Sequence, residues 1–231
     1  MSTLKTNEIQ ANTSNTVVIT NGEVSLAGVS SGWVNANETW TYESASTFSV
    51  AADVTGKYDV GDKIMWTQTT VKYGYIVAIG AYSGGKTIMT IAVNTDYTIA
   101  NAVISANYYS KQNTPHLFPH WFNYTPTVTS YTGTFTTVSG TGKYFITGRT
   151  MHLVAVVTVT TLGTAGGFVK ITLPFTVPAA NWTGAGWTFG NVAVIGGYST
   201  TSLFAVTGYA GGFPALSDAS GLIVTISSIY V

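Results

Sequence analysis

Apolar residues in this chain recur mainly at every second position, in short runs broken by Gly, Asn, Ser and Asp. That period belongs to β-strands with one face buried. The clearest case is 151–160. There Met151, Leu153, Ala155, Val157 and Val159 make a wholly apolar face, and His152, Val154, Val156, Thr158 and Thr160 make a mixed one. Further strands are predicted at 16–20, 47–50, 63–69, 73–79, 87–93, 143–147, 168–173, 192–195, 203–207 and 222–231. No stretch carries a sustained period of 3.6, so no helix is predicted. Turns are expected where glycine makes a positive φ cheap: Gly61-Asp62, Gly84-Gly85, Gly148-Arg149, Gly166-Gly167 and Gly211-Gly212.

Punctuation divides the chain. Residues 1–31 are polar, with one apolar run, Val17-Val18-Ile19, too short to bury a core; they read as an attachment or oligomerisation segment. Residues 32–112 carry most of the charges and read as a small β-barrel-like module. Pro115 and Pro119 mark 113–120 as a linker, because proline cannot sit in a central strand. Residues 121–231 read as an antiparallel β-sandwich, jelly-roll-like. The fold class is therefore all-β.

Composition sharpens this. Only 8% of the 231 residues are charged, with nine basic and nine acidic side chains, against about 25% in ordinary soluble domains. From 171 to 217 there is no charge at all. Outward strand faces made of Thr, Ser, Asn, Gly and Tyr suit packing against identical copies, or contact with carbohydrate. A net charge of zero and a single arginine, Arg149, argue against nucleic acid. The absence of cysteine leaves no disulfide or thiolate metal site. The start has no apolar leader and no run approaches the ~20 residues of a membrane span, so neither secretion by a signal peptide nor membrane insertion is expected.

Catalytic chemistry finds little support. Glycoside hydrolysis needs two carboxylates about 5–10 Å apart, yet Asp218 is the only acid after Asp96. Asp53, Asp59 and Asp62 sit in turn contexts. No Gly-x-Ser-x-Gly elbow is present. His116 and His120 have the spacing of a helical metal pair, but the adjacent prolines forbid the helix and no third ligand is near. No enzyme activity, metal or cofactor is expected. Arg149 is expected at a turn surface and Trp187 in the core. Trp182, Tyr198 and Tyr209, each beside Gly, Ala or Thr, are the candidate ligand contacts: exposed rings stack on sugars, and nearby Asn and Thr can bond hydroxyls.

Several motifs carry a resemblance. Leu4-Lys5-Thr6-Asn7-Glu8-Ile9-Gln10, with the Asn/Thr/Ser stretch and Val17-Val18-Ile19 behind it, resembles the start of phage tail-fibre proteins. The runs from Trp66 to Tyr75, Asp96 to Ala102, Tyr108 to Thr127 and Gly142 to Thr150, and Ile171-Thr172-Leu173-Pro174, are similar to modules of phage and prophage fibre-like proteins. The resemblance implies a virion structural protein, of the tail-fibre, receptor-binding or head-fibre kind and often a homotrimer. It would be made in the host cytoplasm and act outside the cell. Residues 1–31 would meet other virion proteins, and the sandwich would face host-surface glycan. It carries over no functional residues, and the match is weakest beyond Pro178. The rival reading is a secreted carbohydrate-binding, lectin-like module.

Overall fold

The computed structural model describes residues 31–92 and 94–177, and the strand backbones Ala185–Thr188, Ile195–Ser199, Leu203–Gly208 and Ser220–Tyr230. The predicted strand at 16–20 lies outside the described residues. Residues Gly32–Val231 form one compact unit. The described part is all-β, and every strand pairing in it is antiparallel.

The first module has seven strands: β1 (Val34–Asn35), β2 (Trp40–Ser44), β3 (Thr47–Val50), β4 (Lys63–Thr67), β5 (Val71–Ile79), β6 (Thr87–Ile91) and β7 (Ser105–Ser110). They form one sheet in the order β1-β7-β4-β5-β6-β3-β2. Strands at its two ends are therefore neighbours in sequence. A flat seven-stranded sheet is about 29 Å wide at ~4.8 Å per strand, but the link from Asn35 to Trp40 reaches at most about 19 Å. The sheet must curl, and β5 is its corner. Residues 71–75 of β5 pair with β4 and residues 76–79 with β6, with a register shift between Ile76 and Ala78. The sheet does not close into a barrel, since β1 and β2 do not pair. Inside the curl, Trp40, Phe48, Tyr58, Ile64, Trp66, Ile76, Met89 and Ile91 form one buried cluster. Gly74 lies under Trp66, where a Cβ would stand 3.5 Å from the indole.

The second module is a sandwich. One sheet has the order β13-β16-β11-β10-β8 and the other β14-β15-β12-β9. Here β8 is Phe122–Tyr124, β9 Val128–Thr132, β10 Thr137–Thr147, β11 Thr150–Thr161, β12 Gly166–Thr172, β13 Ala185–Thr188, β14 Ile195–Ser199, β15 Leu203–Gly208 and β16 Ser220–Tyr230. The chain crosses between the sheets from β8 to β9, from β9 to β10 and from β11 to β12, while β10 and β11 stay together as a hairpin. The alternation read at 151–160 holds: Met151, Leu153, Ala155, Val157 and Val159 are buried and face Val169 and Ile171 of β12 in one core.

Two local expectations change. Gly166-Gly167 does not turn the chain. The turn comes earlier, at Gly163 (φ 66°), and Gly167 (φ 77°) makes a bulge at the start of β12, with the side chain of Tyr131 lying against it. The prolines of 113–120 do keep it out of strands, but the segment is no free spacer. Phe118 packs on Tyr75 and Phe122 at ring distances of 5.0 and 5.4 Å, and Trp33 Nε1 donates to the His116 carbonyl at 2.8 Å.

The modules share a core. Tyr75 and Ala92 of the first belong to the buried cluster of the second, beside Phe122, Tyr144 and Ile146. The Tyr75 hydroxyl is hydrogen-bonded by the Ile146 backbone. The Thr95 amide donates to the Asn123 carbonyl at 2.7 Å. In return the Asn123 amide and side chain donate to the Asp96 carboxylate at 2.9 to 3.2 Å.

Candidate functional site

Of the ring residues singled out in the sequence, Trp182 and Tyr209 lie outside the described residues. Tyr198 is in β14, opposite Ala205 of β15; its side chain is outside the described part. Trp187 is in β13, opposite Ile223 of β16, with the same restriction. The described surface directs attention elsewhere, to the seam between the modules.

The seam is built from two turns. Residues 59–62 close on themselves: the Asp62 amide donates to the Asp59 carbonyl at 3.1 Å, and the Asp59 amide donates to Asp62 Oδ2 at 2.9 Å. Gly61 is at φ 96°, and the carbonyl of Gly148 lies 2.0 Å from where a Cβ would be. Only glycine permits that approach. Gly148 (φ 59°) and Arg149 form the hairpin turn between β10 and β11, where the sequence reading placed Arg149. The pressed turns leave a cleft of about 460 Å³ lined by Asp59, Asp62, Lys63, Lys111, Asn113 and Arg149, among others.

The charges there are coupled. Lys111 bonds the Asp59 carboxylate and stands 3.5 Å from Asp62. Burial raises the Asp62 carboxyl above the ordinary aspartate range, against the lowering effects of the Asp59 amide and Lys111. Lys63, at the start of β4, is 2% exposed. Burial lowers its ammonium below the ordinary lysine range. Its Nζ lies 5.9 Å from the centre of the Tyr75 ring and has no hydrogen-bond acceptor among the described residues.

A second, smaller cleft of about 100 Å³ adjoins the first, sharing Asn113 and continuing along Tyr75, Phe118, His120, Phe145 and Thr147. Its rim is aromatic. His120 and His152 both stack on Phe145 at 5.3 and 4.5 Å, and Trp121 meets Phe145 edge-on at 4.6 Å while remaining 37% exposed. No family model, curated protein or solved structure matches the chain. The chemistry of the seam therefore rests on its own residues.

Each carboxylate of the first module has structural partners: Glu38 accepts from Lys57 and Tyr58, Glu43 accepts from Lys86, Asp53 caps Thr55, Asp59 and Asp62 close their turn and bind Lys111, and Asp96 clamps Asn123. The spacing of His116 and His120 puts them in different settings. His116 offers its carbonyl to Trp33, and the His120 ring stacks on Phe145. Sequence reasoning missed the cleft because Asp62, Lys111 and Arg149 are far apart in the chain. One local signal was present: a lysine directly before the apolar run Ile64-Met65-Trp66.

Proposed function

We propose that this chain is a non-enzymatic structural subunit of the phage-fibre kind, acting in a virion as a homo-oligomer, most simply a trimer, at a host cell surface. Residues 1–31 would attach it to other virion proteins. The observation that carries the reading is the outer face of the five-stranded sheet. Along β10 and β11 that face presents Ser139, Thr141, Lys143, Val154, Val156, Thr158 and Thr160, with one charge among them. Val154 and Val156 are only partly covered there. A broad sheet face of this kind associates with copies of itself while desolvating at most the one ion, Lys143, and burial of its methyl groups drives the contact. Three-fold closure is taken from the fibre resemblance, since composition alone serves other closed symmetries.

Light scattering on the size-exclusion peak tests it. The expected mass is about three times the 24.3 kDa of one chain. The double variant Thr141→Lys/Thr158→Lys is expected to shift the peak to monomer with unchanged strand content. A wild-type mass of one chain at micromolar protein and physiological salt overturns the oligomer. An unmoved oligomer in the double variant moves the interface off this face.

A further inference from the structure

We propose that the two adjoining clefts at the 147–150 turn form one binding site for a saccharide bearing an anionic group. Lys63, with Arg149, receives the anion, and the His120–Trp121 rim receives the sugar ring. The proposal rests on the surface-adhesion reading for the source of its ligand, but the site is argued from the seam itself.

Three observations converge on it. The first is where the charges are. The whole chain has eighteen charged side chains, and five of them, Asp59, Asp62, Lys63, Lys111 and Arg149, line one cleft. Three are cations and two are anions. In a molecule that otherwise covers its strands with threonine and serine, such a concentration needs a local reason.

The second is Lys63. An ammonium withdrawn from water is stabilised by paired anions or hydrogen-bond acceptors. The neighbouring carboxylates are committed: Asp59 and Asp62 to each other's turn and to Lys111. Lys63 has only the Tyr75 ring at 5.9 Å and the field of Asp62. A carboxylate or phosphate entering the cleft supplies the acceptor that the protein does not, and such charge-assisted bonds are the strong ones. Methionine in the same place would fill the space without the desolvation cost.

The third is the aromatic rim. Across Asn113 the surface changes from charges to rings, with Trp121 exposed and His120 and Phe145 lining the smaller cleft. An apolar ring face beside hydrogen-bonding side chains such as Asn113, Thr114 and Thr147 matches the two sides of a pyranose, whose C–H face is apolar and whose edge carries hydroxyls.

The test titrates glucuronate, glucose 6-phosphate and glucose into the full chain, followed by calorimetry and ligand-observed NMR. At least one of the two acids is expected to bind about tenfold more tightly than glucose, and the preferred acid identifies the anionic group as carboxylate or phosphate. Lys63→Met is expected to weaken the acid about tenfold while leaving the melting temperature equal or higher, a combination that a merely structural lysine does not give. Arg149→Gln, on the exposed turn, is expected to weaken the acid in the same direction, and decides the matter should the Lys63 variant fold poorly. Trp121→Ala is expected to weaken acid and neutral sugar alike. Neither acid outbinding glucose at tens of millimolar overturns the proposal, as does acid binding that survives both Lys63→Met and Arg149→Gln. Adsorption of the labelled chain to bacteria separates this result from the adhesion reading. Adsorption without acid binding discards the cleft and keeps adhesion; acid binding without adsorption keeps the cleft and discards adhesion.

Discussion

Trp66 and Leu153 are equally sealed, at 1% and 0% exposure, but their surroundings differ in kind. Around Leu153 the sandwich offers methyl groups delivered by strict alternation: Met151, Ala155, Val157, Val159, and Val169 and Ile171 from the facing sheet. Around Trp66 the curled sheet mixes apolar packing with polar bonds. Trp66 Nε1 donates to Gln68 Oε1 at 3.4 Å, and Gln68 Nε2 donates to the Ala100 and Ala102 carbonyls at 2.8 and 3.2 Å. The buried polar residues of the described part, Ser49, Asp62, Lys63, Thr87, Asn94, Asn107 and Ser110, all belong to the first module. A sheet that curls on itself opens gaps at its corner and rim, and polar side chains and loops fill them. Two flat faces opposed in a sandwich need only matched side chains.

The comparison can be broken most forcefully at its two centres. Trp66→Ala is expected to cost about 3–5 kcal/mol and Leu153→Ala about 2–5 kcal/mol, measured by urea denaturation. The tryptophan should be the costlier because its loss also unseats Gln68 and the loop that Gln68 holds. A Leu153→Ala cost clearly above that of Trp66→Ala would show that the polar network contributes little.

Next in size is a glycine of the sandwich. The ring of Tyr124, from the edge strand β8, lies across Gly142 in the middle of β10, 2.1 Å from where a Cβ would stand. Gly142→Ala is expected to cost about 1–3 kcal/mol by overpacking, and most of that cost should vanish in a Tyr124→Ala background. An equal cost in both backgrounds would place the strain in the backbone instead.

Tyr75→Phe removes the hydroxyl that the Ile146 backbone bonds, and is expected to cost about 1 kcal/mol. Tryptophan fluorescence, to which each module contributes three of the six tryptophans, and strand circular dichroism should still report one transition, because Phe118 and Phe122 keep the ring buried. Two separated transitions would mean that the hydroxyl, rather than the shared core, joins the modules.

The smallest effect concerns pH. Burial raises the folded-state pKa of Asp62, so the folded chain holds this proton more tightly than the unfolded one. The resulting stability is fully present below the ordinary aspartate value of about 3.9 and is lost as pH rises through the folded value. Wild type measured against Asp62→Asn should therefore lose relative stability as pH climbs from that value towards neutrality. A difference that grows with pH would reverse the sign and make Lys111 the dominant influence on Asp62.

The same contrast explains what could be read in advance. Strands at 47–50, 63–67, 71–79, 87–91 and 150–161 were legible to within a few residues, since period-two alternation is a local property. Strands β2 and β7 were not predicted. Trp40–Ser44 has one buried residue at its start, and Ser105–Ser110 shows no alternation, with Ala106 at φ 48° inside it. Both are held in place by side chains distant in sequence, as where Asn107 Nδ2 donates to the Glu38 carbonyl at 3.0 Å. The cleft was hidden for the same reason. Asp62 read as a turn residue and Lys111 carried no signal of its own, until the curl and the 147–150 turn bring them together with Arg149.

The Tyr75 side chain sets a timetable for synthesis. Tyr75 and Ala92 leave the ribosome well before Tyr144 and Ile146, which complete their burial. At about 5–20 residues per second, Ile146 follows Tyr75 by roughly 4–14 s. During that interval the curled sheet is a nascent domain with a greasy flank, on a polysome where neighbouring chains expose the same flank at close range. Slower decoding between the two points would lengthen the exposure, so soluble yield should fall when rare codons are placed there and recover when holding chaperones are abundant.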